Sequence, residues 1–410
     1  MPFRQRLDAE KVAFSVFYLF YRSPVTNARY LRPTRAHYLQ RRGAFTQGNT
    51  TMHAVRLTTI NKPRSRTPGA WFRALFLITL SLFALHMASA HAQTPIRFVL
   101  NWKYEGPQAW FFLAQDRGYF KAEGLDVSFD QGDGSAGSIP KVASGAYDAG
   151  FGDINALIDL AGQKPSDAPI AVFLLYNVTP FAFAVPVDSP IHTPRDLEGR
   201  TIGGGVNDAT LKLFPAFARI NHVDTSKVKI TNIAPALSAQ LLDRGQLDAA
   251  STYVTTFVFA DKSMGVDPAK KIRFIRYDKY GMNLYSNTVF FSRTFVANHP
   301  DAVRGFVRAL NHAIRDVIAD PDAGISALMK REPLLNRDVE TQKLLFTLHN
   351  DMSSPEIAHD GIGNVDDTRL AGDIRIVADA LALPHAPTPQ AVFDSNFLPP
   401  QNERIFKVTP

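Results

Sequence analysis

Downstream of residue 93 the apolar positions follow two periods. Residues 96–100 (IRFVL) read as a strand, Gly106-Pro107 as a turn, and Trp110, Phe111 and Leu113 as part of an apolar helix that stops near Gly118. Residues 125–129 (LDVSF) alternate with period two and residues 170–175 (IAVFLL) form an unbroken apolar run, both patterns suited to strands of an open sheet. The clearest helix covers residues 300–319. Val303, Phe306, Val307, Leu310, Ile314, Val317 and Ile318 form one stripe, and Arg304, Arg308, Arg315 and Asp316 an opposite face expected to be solvated. Leu370, Ile374, Val377 and Leu381 predict a late helix before a proline-rich tail from Pro384. Strands alternating with helices argue an α/β fold.

The pattern repeats once. Gly145-Ala-Tyr-Asp148-Ala149 and Gly245-Gln-Leu-Asp248-Ala249 stand 100 residues apart, each after a helical stretch and before a strand-like one. One corner, with a glycine ending the helix, is expected to be built twice.

Charge divides the chain. Residues 1–92 hold 14 basic and 2 acidic side chains, leaving 31 basic and 36 acidic for the rest, so the formal +7 belongs to the leader. The body is acidic, which excludes a surface that grips nucleic acid by neutralising phosphates. Within the leader, Arg64, Arg66 and Arg73 precede the apolar run 74–85 and a small-residue ending Ala90-His91-Ala92, the plan of a cleavable signal peptide cut after Ala92. Twelve apolar residues span about 18 Å as a helix against a hydrocarbon core of about 30 Å, too short for an anchor. Met52, at a suitable distance from the apolar run, is the expected start of translation, ahead of which residues 1–51 lack apolar periodicity. With no cysteine there is no lipid attachment, disulfide, thiolate metal site or thiol nucleophile. No histidines stand at helical metal-ligand spacing, so neither metal nor cofactor is expected. An exported protein free in the periplasm follows as the expectation.

Several motifs bear on chemistry. Gly132-Asp-Gly134-Ser-Ala-Gly137 spells G-x-G-x-x-G, with Asp153 21 residues after Gly132, but it follows the second strand of the body, and an exported protein meets little nicotinamide cofactor. What survives is narrower: backbone N–H groups at a helix start that could meet an anion or a polar acceptor, aided by the Ser135 and Ser138 hydroxyls. The segment 133–137 is also one residue short of a G-x-S-x-G nucleophile elbow. Gly203-Gly204-Gly205 leads through Asn207 and Asp208 toward Thr210 and a helix that either residue could cap. Trp110, Phe111 and Phe112 fall in helical order and belong to the core. Trp102 and Tyr104, with Asn101 and Glu105 beside them, lie in the loop after the first strand, where ligands bind in open α/β sheets and where a ring offers a stacking face.

The run NWKYEGPQAWFFLAQDRGYFKAEGLDVSF, then Gly145 to Gly152, then SRTFVANHPDAVRGFVRALNHAIRDVIADPDAG, resembles the type II periplasmic binding proteins that serve ABC importers for sulfonates, taurine, nitrate and thiamine pyrimidine precursors, over roughly residues 95–325. The resemblance implies two α/β lobes joined by two hinge crossings, with the ligand in the cleft between them. Lobe one would take 94–180 and 288–355, lobe two 181–287, and residues 356–410 a helix and tail packed on lobe one. It implies a binder, not an enzyme, that acts as a monomer with a small-molecule ligand and a membrane permease as partners. Relatives that bind the formylated aminopyrimidine open with Asp-Trp, the Trp stacking on the ring; here the pair is Asn101-Trp102. The site residues expected are Trp102 and Tyr104 for stacking, and Glu105, Ser135, Asp153, Asn207, Asp208, Tyr253 and Tyr285 for polar contacts. Acidic Glu105, Asp133, Asp153 and Asp208 favour a neutral or cationic planar heterocycle over a sulfonate, taurine or nitrate, whose binders use hydroxyls such as Ser135, Ser138 and Thr210. The fungal pyrimidine synthases resemble these binders but use pyridoxal phosphate, a histidine and a cysteine-rich iron motif. A periplasmic sensor module is the third alternative.

Overall fold

A computed structural model describes residues 93–263 and 267–405, all within the compact unit Leu75–Pro410. The signal-peptide run 74–85, the cleavage point after Ala92 and the start at Met52 lie outside the described residues.

In chain order the strands are β1 Thr94–Val99, β2 Leu125–Asp130, β3 Ala149–Asp153, β4 Ile170–Leu174, β5 Phe181–Pro186, β6 Thr201–Gly204, β7 Lys229–Asn232, β8 Ala249–Tyr253, β9 Ile272–Arg276 and β10 Asn287–Phe291. They form two five-stranded sheets of matching order, β2-β1-β3-β10-β4 and β7-β6-β8-β5-β9. The first three strands of each are parallel, while β10 runs antiparallel to β3 and β4 as β5 does to β8 and β9. Each antiparallel strand is the first one built after the chain crosses from the other sheet. This is the two-lobed α/β architecture expected from strand–helix alternation.

The crossings, residues 175–180 and 281–286, lie side by side. Leu175 N and Tyr176 N both donate to Asn287 O at 3.0 Å, and Ser286 N donates to Tyr176 O at 3.0 Å. The unbroken apolar run at β4 also has a cause. Although β4 ends its sheet, it is buried throughout, because the tail covers its edge: Leu174 N donates to Gly363 O and Asp394 N to Ala171 O.

The internal echo is a repeated corner. Helix Ser138–Ala143 ends at Gly145 (φ 77°), and Asp148 accepts from Arg97 N at 2.8 Å on the neighbouring β1. Helix Ser238–Asp243 ends at Gly245 (φ 65°), and Asp248 accepts from Thr201 N at 2.8 Å on β6. Glycine takes the left-handed turn that stops each helix, and the aspartate satisfies the first free N–H of the adjoining strand.

Helix Pro300–Ala319 buries the predicted stripe against Phe98, Phe111 and Phe120, with Phe98 stacked on Phe306 at 5.2 Å. Its charged face differs from expectation. Arg308 pairs with Glu123, while Asp316 binds Arg117 and Tyr119, whose ring stacks on His312 at 4.2 Å. Half of that face therefore clasps the segment 117–123 and is not simply solvated.

The tail also departs from expectation. Helix Asp367–Leu381 packs on both helix Ile154–Gln163 of lobe one and helix Phe214–Ile220 of lobe two. Leu370, Ile374 and Val377 join one core with Ile154, Leu157, Phe214 and Phe217. A single apolar stripe wide enough to meet two helices straddles the lobes instead of resting on one.

Candidate ligand-binding cleft

Asp153 and Tyr253, 100 residues apart, close the equivalent strands β3 and β8 at their carboxyl ends. From Tyr253 runs a largely buried chain of hydrogen bonds. Tyr253 Oη donates to Asn287 Oδ1 at 3.1 Å, and Asn287 Nδ2 donates to Ser135 Oγ at 3.3 Å. Asn101 Nδ2 donates to the same hydroxyl at 3.4 Å, and Gln108 Nε2 donates to Asn101 Oδ1 at 3.0 Å. The chain thus links the loop after β1 to the tyrosine of lobe two. Burial, with Asp153 nearby, holds the Tyr253 phenol well above its ordinary range, so its hydroxyl remains a donor. Beside Asn101, Trp102 is half-buried and its ring has no aromatic partner among the described residues.

Asp153 occupies the N-cap position of helix Ile154–Gln163 with its side chain buried and making no capping bond. Its Oδ1 accepts from Asn155 Nδ2 at 2.9 Å, its Oδ2 has no partner, and burial pushes the carboxyl up to about 7. Asn155 Nδ2 also donates to Tyr285 O at 2.7 Å. These two acceptors fix the amide's orientation and leave Asn155 Oδ1 unpartnered. Half-buried Asp208 has its acceptors filled: Oδ1 caps Thr210 N and Leu211 N, and Oδ2 accepts from Ser251 Oγ at 2.9 Å. Loss of water still raises its pKa.

Two of the contacts between the lobes lie across the cleft. Asn207 Nδ2 donates to Asp133 Oδ2 at 3.0 Å, and a Cβ on Gly134 would sit 2.4 Å from the Asn207 carbonyl oxygen. At the other, Phe259 meets Phe346 edge-on at 5.9 Å and Lys262 Nζ donates to Gln342 Oε1 at 3.1 Å. The lobes are closed on each other.

This corrects the glycine motif. Gly132 N donates to Trp102 O, Gly134 N to Asn101 O and Gly137 N to Gly134 O, so the chain itself uses these donors, and the helix that follows has six residues. The glycines let the loop approach Asn207 and residues 100–102; they do not cradle an anion.

Of the nine expected residues, the structure gathers Ser135, Asp153 and Tyr253, with Asn207 and Asp208 on the facing rim; Trp102 follows Asn101 in the chain and is half-buried. Three lie elsewhere. Tyr104 turns its hydroxyl to Phe129 O and its ring to Phe112 at 4.8 Å, packing into lobe one rather than facing a ligand. Glu105 pairs with Lys343 at 3.3 Å and shares that ammonium with Glu340; burial raises its pKa against the pull of the lysine. Tyr285 places its ring under Arg369 and its hydroxyl on Glu356, in contact with the C-terminal segment.

Sequence reading missed Gln108 and Asn287 as network members, and a further group at the first crossing. Asn177 N and Val178 N donate to Asp351 O, while Thr255 Oγ1 of lobe two donates to Asp351 Oδ2 at 3.4 Å. Burial pushes the Asp351 carboxyl up to about 7. The available signal was polar residues directly abutting apolar runs, at 177, 179 and 286–288. Among the described residues no three His, Asp or Glu side chains gather as a metal site, and no helix is long and apolar enough to cross a membrane.

The profile of the NMT1/THI5-like family matches residues 108–324. The 4-amino-5-hydroxymethyl-2-methylpyrimidine phosphate synthase of Schizosaccharomyces pombe is 23% identical over 232 residues, 55% of this chain and 66% of that protein. Riboflavin-binding protein RibY of Chloroflexus aurantiacus is 24% identical over 234 residues, 52% and 59% of the two chains. The formylaminopyrimidine-binding protein of Halalkalibacterium halodurans is 24% identical over 297 residues, 68% and 86%. Among solved structures, the alkanesulfonate-binding protein SsuA of Xanthomonas axonopodis pv. citri, bound to MOPS, superposes with a TM-score of 0.57 at 14% identity, covering 74% of this chain and 99% of that one. At that identity the likeness carries the fold alone.

Proposed function

The chain belongs to the NMT1/THI5-like family and has the two-sheet fold of periplasmic binding proteins, and from this we propose that it captures a small planar heterocycle, such as a thiamine pyrimidine precursor, for an ABC importer. One feature carries the reading: half-buried Trp102, whose ring has no aromatic partner among the described residues, directly follows Asn101 of the network Asn101–Ser135–Asn287–Tyr253. A ring can stack on the indole while the network holds its rim. Formylaminopyrimidine and riboflavin, named for two of the relatives, are both planar heterocycles.

The charges support a neutral or cationic ligand. Asp153 and Asp351 are buried near the cleft, and Lys343 is already taken by Glu105 and Glu340. An anion would have to displace those partners or sit beside buried carboxyls that become negative as pH rises through about 7. Asn101 stands where aspartate opens the pyrimidine-binding relatives; its amide serves to hold Ser135 and leaves recognition of the ring's edge to other groups. A synthase reading has less support, since the cysteine-rich iron motif of the fungal enzymes has no counterpart in a chain without cysteine. Export through the basic leader and delivery to a membrane permease complete the proposal.

The test is a melting panel on the full chain with 4-amino-5-hydroxymethyl-2-methylpyrimidine, the formylated aminopyrimidine, riboflavin, taurine, alkanesulfonates and nitrate. A ligand at 100 times its Kd adds about 2.7 kcal/mol to stability, a shift a melt resolves. Stabilisation by a heterocycle supports the proposal. Stabilisation by sulfonates or nitrate alone would overturn the ligand assignment and leave the fold untouched.

A further inference from the structure

The C-terminal segment meets the hinge through one side chain. Arg369, on the helix that straddles both lobes, donates from Nη2 to Asn177 O at 2.7 Å and to Asn283 O at 3.2 Å. Asn177 lies in the first crossing and Asn283 in the second, so one guanidinium ties both together. Its other arm donates from Nη1 to Glu356 Oε1 at 2.9 Å, and its Cζ sits 3.9 Å from the centre of the Tyr285 ring. Tyr285 is fixed in turn: its hydroxyl donates to Glu356 Oε2 at 2.7 Å and accepts from Asp366 N at 3.0 Å, and its backbone N–H donates to Asp373 Oδ2 at 2.9 Å.

We infer that Arg369 is a hinge clamp, a positioning residue through which the C-terminal helix sets how readily the two lobes open. Lobe opening is a rotation taken up by backbone torsions in the crossings, and such a rotation moves the carbonyls of 177 and 283 relative to one another. A planar fork bonded to both, stacked on Tyr285 and oriented by Glu356, favours one relative placement of the two. Lysine has the charge without the fork and can satisfy fewer of these acceptors in fixed geometry. The clamp accounts for the position of Tyr285, which the sequence placed in the cleft and the structure places under the guanidinium. It stands independently of what the cleft binds.

Hydrogen exchange of the ligand-free full chain tests this. The amides of Leu175, Tyr176 and Ser286, which carry the bonds between the crossings, exchange about tenfold faster in Arg369→Ala, with Arg369→Lys in between and the helix Pro300–Ala319 unchanged. Unchanged rates at the three amides would overturn the clamp, as would equal acceleration throughout both lobes, the mark of simple loss of stability. If Arg369→Ala does not accumulate folded, Glu356→Gln carries the test. It frees the guanidinium from its orienting carboxylate and is expected to speed the same amides about threefold; no change there overturns the inference as well.

Discussion

The two lobes share a plan and differ in what they do with it. Each has the same strand order, the same helix–glycine–aspartate corner and the same antiparallel strand after a crossing. In lobe one β1 pairs with β2 along six residues over a phenylalanine cluster of Phe98, Phe111, Phe129 and Phe306. In lobe two the corresponding β6–β7 pair has four residues, two of them glycines on β6, and β7 faces solvent. At the ends of the matching strands stand a buried carboxyl, Asp153, and a phenol, Tyr253. A duplicated scaffold therefore brings unlike groups to one cleft: symmetry supplies position, and its breaking supplies chemistry.

Matching positions sharpen this comparison. Phe98 opposes Ala149 in one sheet as Ile202 opposes Ala249 in the other. Phe98→Ala is expected to cost about 3–5 kcal/mol in chemical denaturation, and Ile202→Ala, in the thinner core, about 2–3. Similar costs for both would deny lobe one its heavier core.

The strand-end pair differs in its response to pH. Asp153 has a folded pKa of about 7, raised above the ordinary value of 3.8, so the folded state binds the proton more tightly. Stability from this group is therefore fully present below about pH 4 and is lost as pH rises toward 7. The effect is of order 4 kcal/mol at most, and Asp153→Asn should flatten that part of the stability curve. Tyr253→Phe should leave its shape in this window unchanged, because the phenol does not titrate there. An unaltered curve in Asp153→Asn would mean the carboxyl is not the proton-binding group.

The corner aspartates are the smallest contrast. Asp148→Ala and Asp248→Ala each remove an acceptor for a strand N–H, worth about 1 kcal/mol. Asp148 should cost slightly more, since Arg97 meets it at 2.8 Å while Arg200 stands 3.7 Å from Asp248. The reverse order in thermal melts would show that the two corners are not equivalent.

Periodicity made the strands, the helix of residues 300–319 and the duplicated corner legible, because each is a local pattern repeated along the chain. The nearness of Ser135, Asp153 and Tyr253 was legible because they sit at strand ends or in the loops that follow. The side chains of Tyr104 and Tyr285 were not, since residue type fixes neither the direction of a loop side chain nor its partner. Phe112 and Arg369 decide those. The network through Asn101, Gln108 and Asn287 joins residues up to 186 positions apart, and only the folded sheet order brings them together. The glycine run misled for the same reason: its N–H groups are spent on residues 101, 102 and 134, and Asn207 fills the space the glycines leave.

The central claim is that the cleft holds a planar heterocycle against Trp102. Calorimetric titration of the full chain and of Trp102→Ala with 4-amino-5-hydroxymethyl-2-methylpyrimidine tests it most directly. Loss of an aromatic stacking face is worth about 1–3 kcal/mol, so the variant should bind about 5- to 150-fold more weakly while keeping its fold. Equal affinity in the two proteins, or no binding to either, would contradict the account.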